Sequence, residues 1–339
     1  MKDGVRERTC ALSTVGHSLV VLKPWERKSH MSKKRHEPVK ITRSFYQLGI
    51  PSFPAYLSLG EKGMLIEGGT GVTFAIIVEQ IKELGIEPER IEYLALTHTH
   101  PDHIGAVPHL KKLWPHLKLA ASPIAAKILK SERMIKEFLE TDRNIANIMI
   151  NKGEVTDPPP ELEKYVFDVD QVLEEGDRLD LGSGIAWTVY NTPGHSSCHI
   201  SLYEEGEGTL AIGDATGFYV PEKDVFWPNY FDSLDAYCST IRKLSALPAK
   251  RGALSHNAVV DGQLGHYFQK AIRATESYHR EMLKRLGNGE DAEKIALEKA
   301  EWVNSLTDIQ TFEVMYSLAK LMIARSQSEA GNDKLFTVK

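Results

Sequence analysis

The sequence predicts an α/β fold, because two kinds of hydrophobic pattern alternate along the chain. Residues 72–84 carry apolar side chains with a 3.6-residue period that Gly85 ends, which is typical of an amphipathic helix. Short apolar segments typical of β-strands surround this helix, at residues 45–48, 56–59, 64–66 and 93–96. Helices that follow strands and lead back to strands are the pattern of α/β proteins.

The second half of the chain repeats this order of strands followed by a helix. A helix is predicted from Asp232, as its N-cap, to the residues before Pro248. Two helical regions lie outside the alternation: an insert at about residues 131–152 and a C-terminal cap at 262–328. Four further strands are predicted before the Asp232 helix, at residues 178–181, 185–190, 199–203 and 209–212.

Charge and cysteine content narrow the class of protein. Residues 1–43 contain 11 Lys and Arg against 4 Asp and Glu, whereas the remaining chain has 30 basic and 42 acidic residues. We therefore expect a flexible basic extension over residues 1–43 and an acidic body that is a poor surface for nucleic acid. No apolar run is long enough to span a membrane. Three cysteines, an odd number without a C-x-x-C pair, predict a reducing, cytoplasmic compartment.

Potential metal ligands collect at the ends of predicted strands. The segment Thr97-His98-Thr99-His100-Pro101-Asp102-His103 follows the strand at residues 93–96 and places three imidazoles and a carboxylate on one tight loop. A divalent cation that these side chains bind would offset the cost of holding them close together. His195, Asp214 and His256 follow three other predicted strands. Loops at strand ends are where α/β proteins collect functional groups, so these residues predict one metal site.

The order His-x-His-x-Asp-His, Pro-Gly-His-Ser, Gly-Asp and Ser-His-Asn resembles the metallo-β-lactamase superfamily over residues 44–261. The resemblance implies a four-layer αββα sandwich. It implies that two divalent ions bind, with zinc expected and iron or manganese as alternatives. The implied ligands are His98, His100 and His195 for one ion, Asp102, His103 and His256 for the other, and Asp214 as the bridge.

The same resemblance implies a hydrolase. Water held between two divalent ions is hydroxide near neutral pH, and this hydroxide is the expected nucleophile. Asp102 would then have one of two roles. It would act only as a ligand, or it would also be a catalytic residue that orients the hydroxide and accepts its proton. His199 is expected to support the ligands from behind by hydrogen bonding. Relatives that hydrolyse β-lactam drugs lack the bridging aspartate, and flavodiiron proteins carry glutamate at the position of His100.

The expected substrate is a small thioester of coenzyme A or glutathione. The alternatives are a lactone, which a tyrosine near the metals would favour, and a persulfide oxidised at a single iron. Aromatic residues after Asp214 suggest an apolar pocket, with Tyr219, Trp227 and Tyr230 as its expected lining. The apolar face of the helical cap is expected to pack on the chain's own body, with a homodimer as the alternative.

Overall fold

The computed structural model describes residues 34–257 and 259–336 of the 339-residue chain. Within this part the strands are β1 (Val39–Lys40), β2 (Phe45–Ile50), β3 (Phe53–Leu59), β4 (Gly63–Ile66), β5 (Ile91–Ala95), β6 (Lys118–Ala121), β7 (Gln171–Val172), β8 (Arg178–Gly182), β9 (Ile185–Asn191), β10 (Ile200–Glu204), β11 (Thr209–Gly213), β12 (Phe218–Val220), β13 (Val225–Trp227), β14 (Arg251–Leu254) and β15 (Val259–Asp261). The helices are α1 (Phe74–Glu83), α2 (Pro101–Ile104), α3 (Val107–Leu113), α4 (Pro123–Ile128), α5 (Glu132–Asn151), α6 (Leu234–Ser245), α7 (Leu264–Gly287), α8 (Ala292–Leu306) and α9 (Phe312–Ser328).

Two mixed sheets face each other across a common core. The first has the order β1-β2-β3-β4-β5-β6-β7, the second has the order β15-β14-β11-β10-β9-β8, and β12 and β13 form a separate hairpin. Side chains that alternate along the strands meet between the sheets, and the Trp187 indole donates a 2.9 Å hydrogen bond to Ser58 Oγ across this interface.

Helices cover the outer face of each sheet. Leu65 and Leu94 of the first sheet pack with Ile77 of α1, while Ile212 of the second sheet packs in the same cluster as Ile241 of α6. These contacts make four layers in the order helix, sheet, sheet, helix, and they confirm the αββα sandwich that the sequence resemblance implies. Each sheet buries both faces, which explains why strands such as β4 and β11 are apolar at nearly every position.

The N-terminal boundary of the domain lies earlier than the sequence predicts. Val39 and Lys40 pair with β2, the Gln80 amide donates to the carbonyl of His36 at 3.0 Å, and Lys34 contacts Glu154 at 2.6 Å. The structure thus places residues 39–40 in the first sheet, whereas the sequence predicts that the domain begins at residue 44; the flexibility of residues 34–43 stays a prediction. The rest of the predicted extension lies outside the described residues.

The start of α6 differs by one residue from the predicted start. Ser233, rather than Asp232, is the N-cap, and its hydroxyl accepts a 3.2 Å hydrogen bond from the amide of Ala236. Either side chain can cap a helix, so the sequence alone does not separate the two positions.

The C-terminal helices pack on the chain's own body. The hydroxyls of Thr216 and Tyr267 lie 2.7 Å apart, and those of Tyr230 and Ser326 lie 2.8 Å apart, which ties α7 and α9 to the segments after β11 and β13. A single apolar cluster joins α6, α7, α8 and α9. In the part of the chain that the structure describes, no helix combines the length and the apolar character that crossing a membrane requires.

The helical insert α5 is fixed by a buried carboxylate. Asp142 Oδ1 accepts a 2.8 Å hydrogen bond from the amide of Gly71, and a Cβ atom at Gly105 would lie only 2.3 Å from the same oxygen. Burial raises the pKa of Asp142 to about 6, the Gly71 amide opposes this rise, and the nearby charge of Asp102 adds to it. The ionised form of Asp142 is therefore less favourable in the folded chain than in the unfolded one.

We expect Asp142→Asn to stabilise the metal-free protein at pH 8. The folded-state pKa lies above the unfolded value, so ionisation lowers stability as the pH rises through about 4 to 6. Asparagine keeps an acceptor for the Gly71 amide without the charge, and the gain should approach ~3 kcal/mol at pH 8 and vanish below about pH 4. Urea unfolding of both proteins at several pH values measures this difference, with exposed Asp168→Asn as the matched control. A gain that is independent of pH would contradict the prediction.

Candidate metal centre

The ends of strands from both sheets deliver the predicted ligands to one place. His98 and His100 follow β5, and Pro101 then begins α2, whose single turn carries Asp102 and His103. Residue 100 adopts an extended conformation, as expected for a residue before proline. The second sheet contributes His195 between β9 and β10, Asp214 directly after β11, and His256 after β14.

Gly213 makes the close approach of Asp214 feasible. Its φ of +68° lies in the left-handed region, and a Cβ atom there would lie 2.6 Å from His199 Nε2. Only glycine adopts this conformation without strain and leaves room for the imidazole. The backbone can therefore turn sharply at the end of β11 and direct the Asp214 carboxylate inward.

The first ligand group consists of three imidazoles. The Nδ1 atom of His100 lies 3.0 Å from His98 Nε2 and 2.9 Å from His195 Nε2. Burial lowers the pKa of all three histidines, to about 3 for His100. They are therefore neutral at physiological pH, which is the form that binds a metal ion.

The second group combines a carboxylate with two imidazoles. Asp102 Oδ2 lies 3.5 Å from the Nε2 atoms of both His103 and His256. Burial alone would lower the pKa of both histidines, but Asp102 raises that of His103 and Asp214 raises that of His256 above the usual value. Burial likewise opposes the ionisation of Asp102, yet the contact with His103 holds its pKa well below the usual range. Without metal, this group is a network of paired charges.

Asp214 stands between the two groups. Its Oδ2 atom lies near one imidazole nitrogen from each of four histidines, at 3.9 Å from His98 Nε2, 3.4 Å from His195 Nε2, 3.5 Å from His103 Nε2 and 3.6 Å from His256 Nε2. Although burial would raise the pKa of Asp214, the charge of His256 and its neighbours hold it well below the usual value. One carboxylate thus faces both ligand groups at once.

Hydrogen bonds on the far side of four rings fix the orientation of the imidazoles. In each ring Nδ1–H donates to an oxygen, so that in the neutral, metal-binding form the Nε2 lone pair faces the centre. The pairs are His98 with Thr97 Oγ1 at 3.0 Å, His103 with Glu67 Oε2 at 3.2 Å, His195 with the carbonyl of Asn229 at 2.9 Å, and His256 with the carbonyl of Ser52 at 2.7 Å.

The residues present fit two divalent ions. His103 Nε2 is buried, and its nearest acceptors, Asp102 Oδ2 and Asp214 Oδ2, lie 3.5 Å away without a well-formed hydrogen bond, which leaves a position that a ligand can fill. Among the described residues, three sets of three donors converge: His98, His100 and His195; Asp102, His103 and His256; and Glu67, His98 and His103. Imidazole and carboxylate donors suit zinc, iron or manganese.

Glu67 is a site residue that the sequence analysis misses. It is buried, has a φ of +71°, and accepts hydrogen bonds from Thr97 Oγ1 at 2.5 Å and Ser255 Oγ at 2.9 Å besides its contact with His103. Its sequence signal is an acidic residue at the end of the apolar strand β4, directly before Gly68-Gly69. The carboxylate holds the ligand loops of both sheets together.

His199 lies behind the centre. Its Nδ1–H donates to Thr192 Oγ1 at 2.8 Å, and its Nε2 accepts the backbone amide of Asp214 at 3.0 Å. Burial lowers its pKa well below the usual value, so the ring is neutral and can accept this hydrogen bond. His199 therefore positions the backbone of the bridging residue rather than a metal ion.

A cavity of about 280 Å³ opens onto the candidate metal ligands. Its walls come from α5, from the segment after β13 and from α9 with the residues before it. Trp227 lines it, but two of the expected lining residues do not. Tyr230 is fully buried against Ser326, and the Tyr219 hydroxyl instead bonds to Asp224 at 2.9 Å. The aromatic pattern predicts burial but not which ring faces the cavity.

Comparisons with known proteins agree on the fold. A family model described as "Metallo-beta-lactamase superfamily" matches residues 54–256. The chain is 29% identical over 192 residues to the metallo-beta-lactamase fold-containing protein ST1585 of Sulfurisphaera tokodaii, which covers 56% of this chain and 69% of that protein. A metallo-beta-lactamase structure from Cronobacter sakazakii superposes with a TM-score of 0.54 at 18% identity, covering 74% of this chain and 99% of that one. This structural likeness concerns the fold.

A shorter match joins the chain to a flavoprotein. It is 37% identical over 102 residues to the flavo-diiron protein FprA2 of Clostridium acetobutylicum, which covers 30% of this chain. The match spans only 25% of that relative's length. The likeness therefore concerns one part of a larger protein.

We expect acid to remove the two ions in separate steps. Protons compete for the second group as the pH falls, because the pKa values of His103 and His256 are raised, whereas the three imidazoles of the first group stay neutral. Zinc analysis of dialysed protein should show two ions per chain at pH 8 and about one near pH 5.5.

The variant His256→Gln should bind one ion that is released only at the lower pH. The exposed residue His116 offers a matched control, since His116→Gln should keep both ions and both release steps. Loss of both ions in a single step from the unaltered protein would contradict the assignment of two different groups.

Proposed function

Because this chain belongs to the metallo-β-lactamase superfamily, we propose that it is a binuclear metal-dependent hydrolase that cleaves a small thioester. The observation that carries the proposal is the position of Asp214 Oδ2, within 3.9 Å of imidazoles from both ligand groups. A shared carboxylate offsets the repulsion between two dications. Zinc is the proposed metal, with iron as the alternative.

When bound, the two ions would supply an activated water and polarise the carbonyl group of the substrate. Asp102 contributes an ionised carboxylate at the cavity floor, because its contact with His103 keeps its pKa well below the usual range. This carboxylate can orient the attacking water and accept its proton, although its low basicity favours orientation. A C–O bond to the water oxygen forms and the C–S bond breaks. The products are the carboxylic acid, which keeps the water oxygen, and the thiol, which takes up a proton of the water.

The cavity walls favour an acyl substrate. Phe138, Phe231 and Met315 give them a mainly apolar surface beside the ligands. None of the described residues that line the cavity is a tyrosine, so the feature expected to favour a lactonase is missing from this lining. Burial of an acyl chain against these side chains would supply affinity without competing for the metal ions.

Two redox alternatives fit the ligand set less well. The flavodiiron pattern carries glutamate where this chain has His100, and Glu67 instead lies behind the rings, bonded to His103 and two hydroxyls. A single-iron persulfide dioxygenase would leave the second group without a role. Metal analysis with an oxygen electrode distinguishes these alternatives from hydrolysis.

Free cysteines support a reducing location. Cys198 and Cys238 are both buried and unpaired. We propose that the protein works in the cytoplasm on a small molecule.

The test is hydrolysis by the zinc-loaded protein of acyl-CoA, acyl-glutathione, lactone and β-lactam substrates. We expect thioester cleavage, and we expect Asp102→Asn to lower kcat/KM by at least about a hundredfold. Asp168→Asn makes the same chemical change at an exposed position and should leave the rate unchanged. Absence of thioester cleavage with zinc, iron or manganese would overturn the proposal, and faster lactone cleavage would replace it with the lactonase alternative.

A further inference from the structure

Three residues that line the cavity carry buried polar atoms without hydrogen-bond partners in the protein. Trp227 Nε1, Asn229 Oδ1 and Gln310 Oε1 are buried atoms with no hydrogen-bond partner, and all three residues line the cavity. Trp227 is 4% exposed and Asn229 is 3% exposed. A buried polar group without a partner costs about 1–3 kcal/mol. Three such groups around one cavity indicate that a ligand supplies their hydrogen bonds.

Neighbouring contacts hold two of these residues in place. The Trp227 ring lies 5.7 Å from Phe231 and 6.5 Å from Phe218, so packing orients its N–H. The carbonyl of Asn229 accepts hydrogen bonds from His195 Nδ1 at 2.9 Å and from the amide of Phe231 at 2.8 Å. The unpartnered atoms thus belong to a prearranged wall beside the metal ligands.

The chemistry of the three atoms defines what they would bind. An indole N–H only donates, and the two amide oxygens only accept. A hydroxyl group both donates and accepts, so one hydroxyl on the ligand can serve either kind of partner. The apolar side chains around these atoms require that the rest of the ligand be hydrocarbon.

The volume limits the size of the ligand. A cavity of about 150 Å³ holds one benzene molecule. The cavity here, at about 280 Å³, includes the space beside the metal ligands, and the remainder holds a hydrocarbon group somewhat larger than benzene. A ring with a short chain, or an acyl chain of about eight carbons, fits this space.

We propose that this wall selects a hydroxylated acyl group of about eight carbons over the unsubstituted acyl group of the same length. The inference rests on the proposed thioesterase function and adds the class of acyl group. Trp227 and Gln310 are its specificity-determining residues: Trp227 donates to the hydroxyl oxygen and Gln310 accepts the hydroxyl proton.

The test compares zinc-loaded protein on octanoyl-CoA and on its 3-, 5- and 7-hydroxy derivatives. We expect at least one hydroxylated substrate to have a kcat/KM about tenfold or more above that of octanoyl-CoA, because a pocket built to bond a hydroxyl rejects the analogue that lacks it. Trp227→Phe and Gln310→Met should each reduce this preference, measured as the ratio of kcat/KM for the hydroxylated substrate to that for octanoyl-CoA, by about tenfold. Equal rates for all four substrates would overturn the inference.

Two matched variants control for the substitutions themselves. Trp302→Phe alters a tryptophan of α8 that does not line the cavity, and Gln263→Met alters an exposed glutamine before α7. Both should keep the full preference for the hydroxylated substrate. Loss of the preference in either control would remove the assignment to Trp227 and Gln310.

A binding measurement separates this inference from the proposed function. Calorimetry with octanoic acid and the three hydroxyoctanoic acids reports on the wall without turnover. One outcome is that no thioester is cleaved, a hydroxylated acid binds about tenfold more tightly than octanoic acid, and Trp227→Phe removes this difference. The selectivity of the wall for a hydroxyl group is then supported, and the proposed thioesterase function is wrong. The opposite outcome is that thioesters are cleaved, but no hydroxylated thioester is cleaved faster and no hydroxylated acid binds more tightly. The proposed function is then supported, and the inferred selectivity of the wall is wrong.

Discussion

The buried carboxylate of Asp214, surrounded by four imidazole nitrogens, is the constraint on which the rest of the site depends. A charge in this position is stable only when opposite charges or metal ions compensate it, so the surrounding groups must be held accurately. Two of the histidines come from the first sheet and two from the second. The site therefore exists only if the two sheets meet at one edge in the correct register, since a slip of one residue would turn each ligand to the opposite face.

The hydrogen-bond partners of the ligand imidazoles make metal binding depend on correct folding. The partners of the imidazole N–H groups are backbone carbonyls, a hydroxyl and a carboxylate that come from several separate segments. Glu67 links Thr97 of the first sheet to Ser255 of the second, and His199 holds the amide of Asp214. A change in packing at any of these segments would rotate a ring and weaken metal binding before the fold itself is lost.

The candidate ligands can be picked out in the sequence because metal-binding chemistry is local. His98, His100, Asp102 and His103 lie on one loop, and the other ligands follow apolar strands that are visible in the sequence. Glu67 is not predicted from the sequence because a single glutamate after a strand is ordinary, and its partners Thr97, His103 and Ser255 lie 30, 36 and 188 positions away along the chain. The direction of the Tyr230 side chain depends on its contact with Ser326 of α9, and the strand at residues 39–40 depends on pairing with β2. Such long-range contacts leave no local pattern.

The walls of the cavity come from different parts of the fold than its floor. The ligands belong to the sandwich, whereas Phe138 and Met315 belong to α5 and α9, which lie outside the alternation of strands and helices. Asp142 joins the α5 wall to the backbone at Gly71, and the same carboxylate lies against Gly105, which directly follows the ligand-bearing helix α2. Because a Cβ atom at Gly105 would lie only 2.3 Å from Asp142 Oδ1, little space separates α5 from the end of α2, and we expect a movement of α5 to disturb α2. The α5 wall of the cavity and the loop that carries Asp102 therefore pack on each other, so under the proposed function a change in the wall that would contact the acyl group also alters the geometry at Asp102.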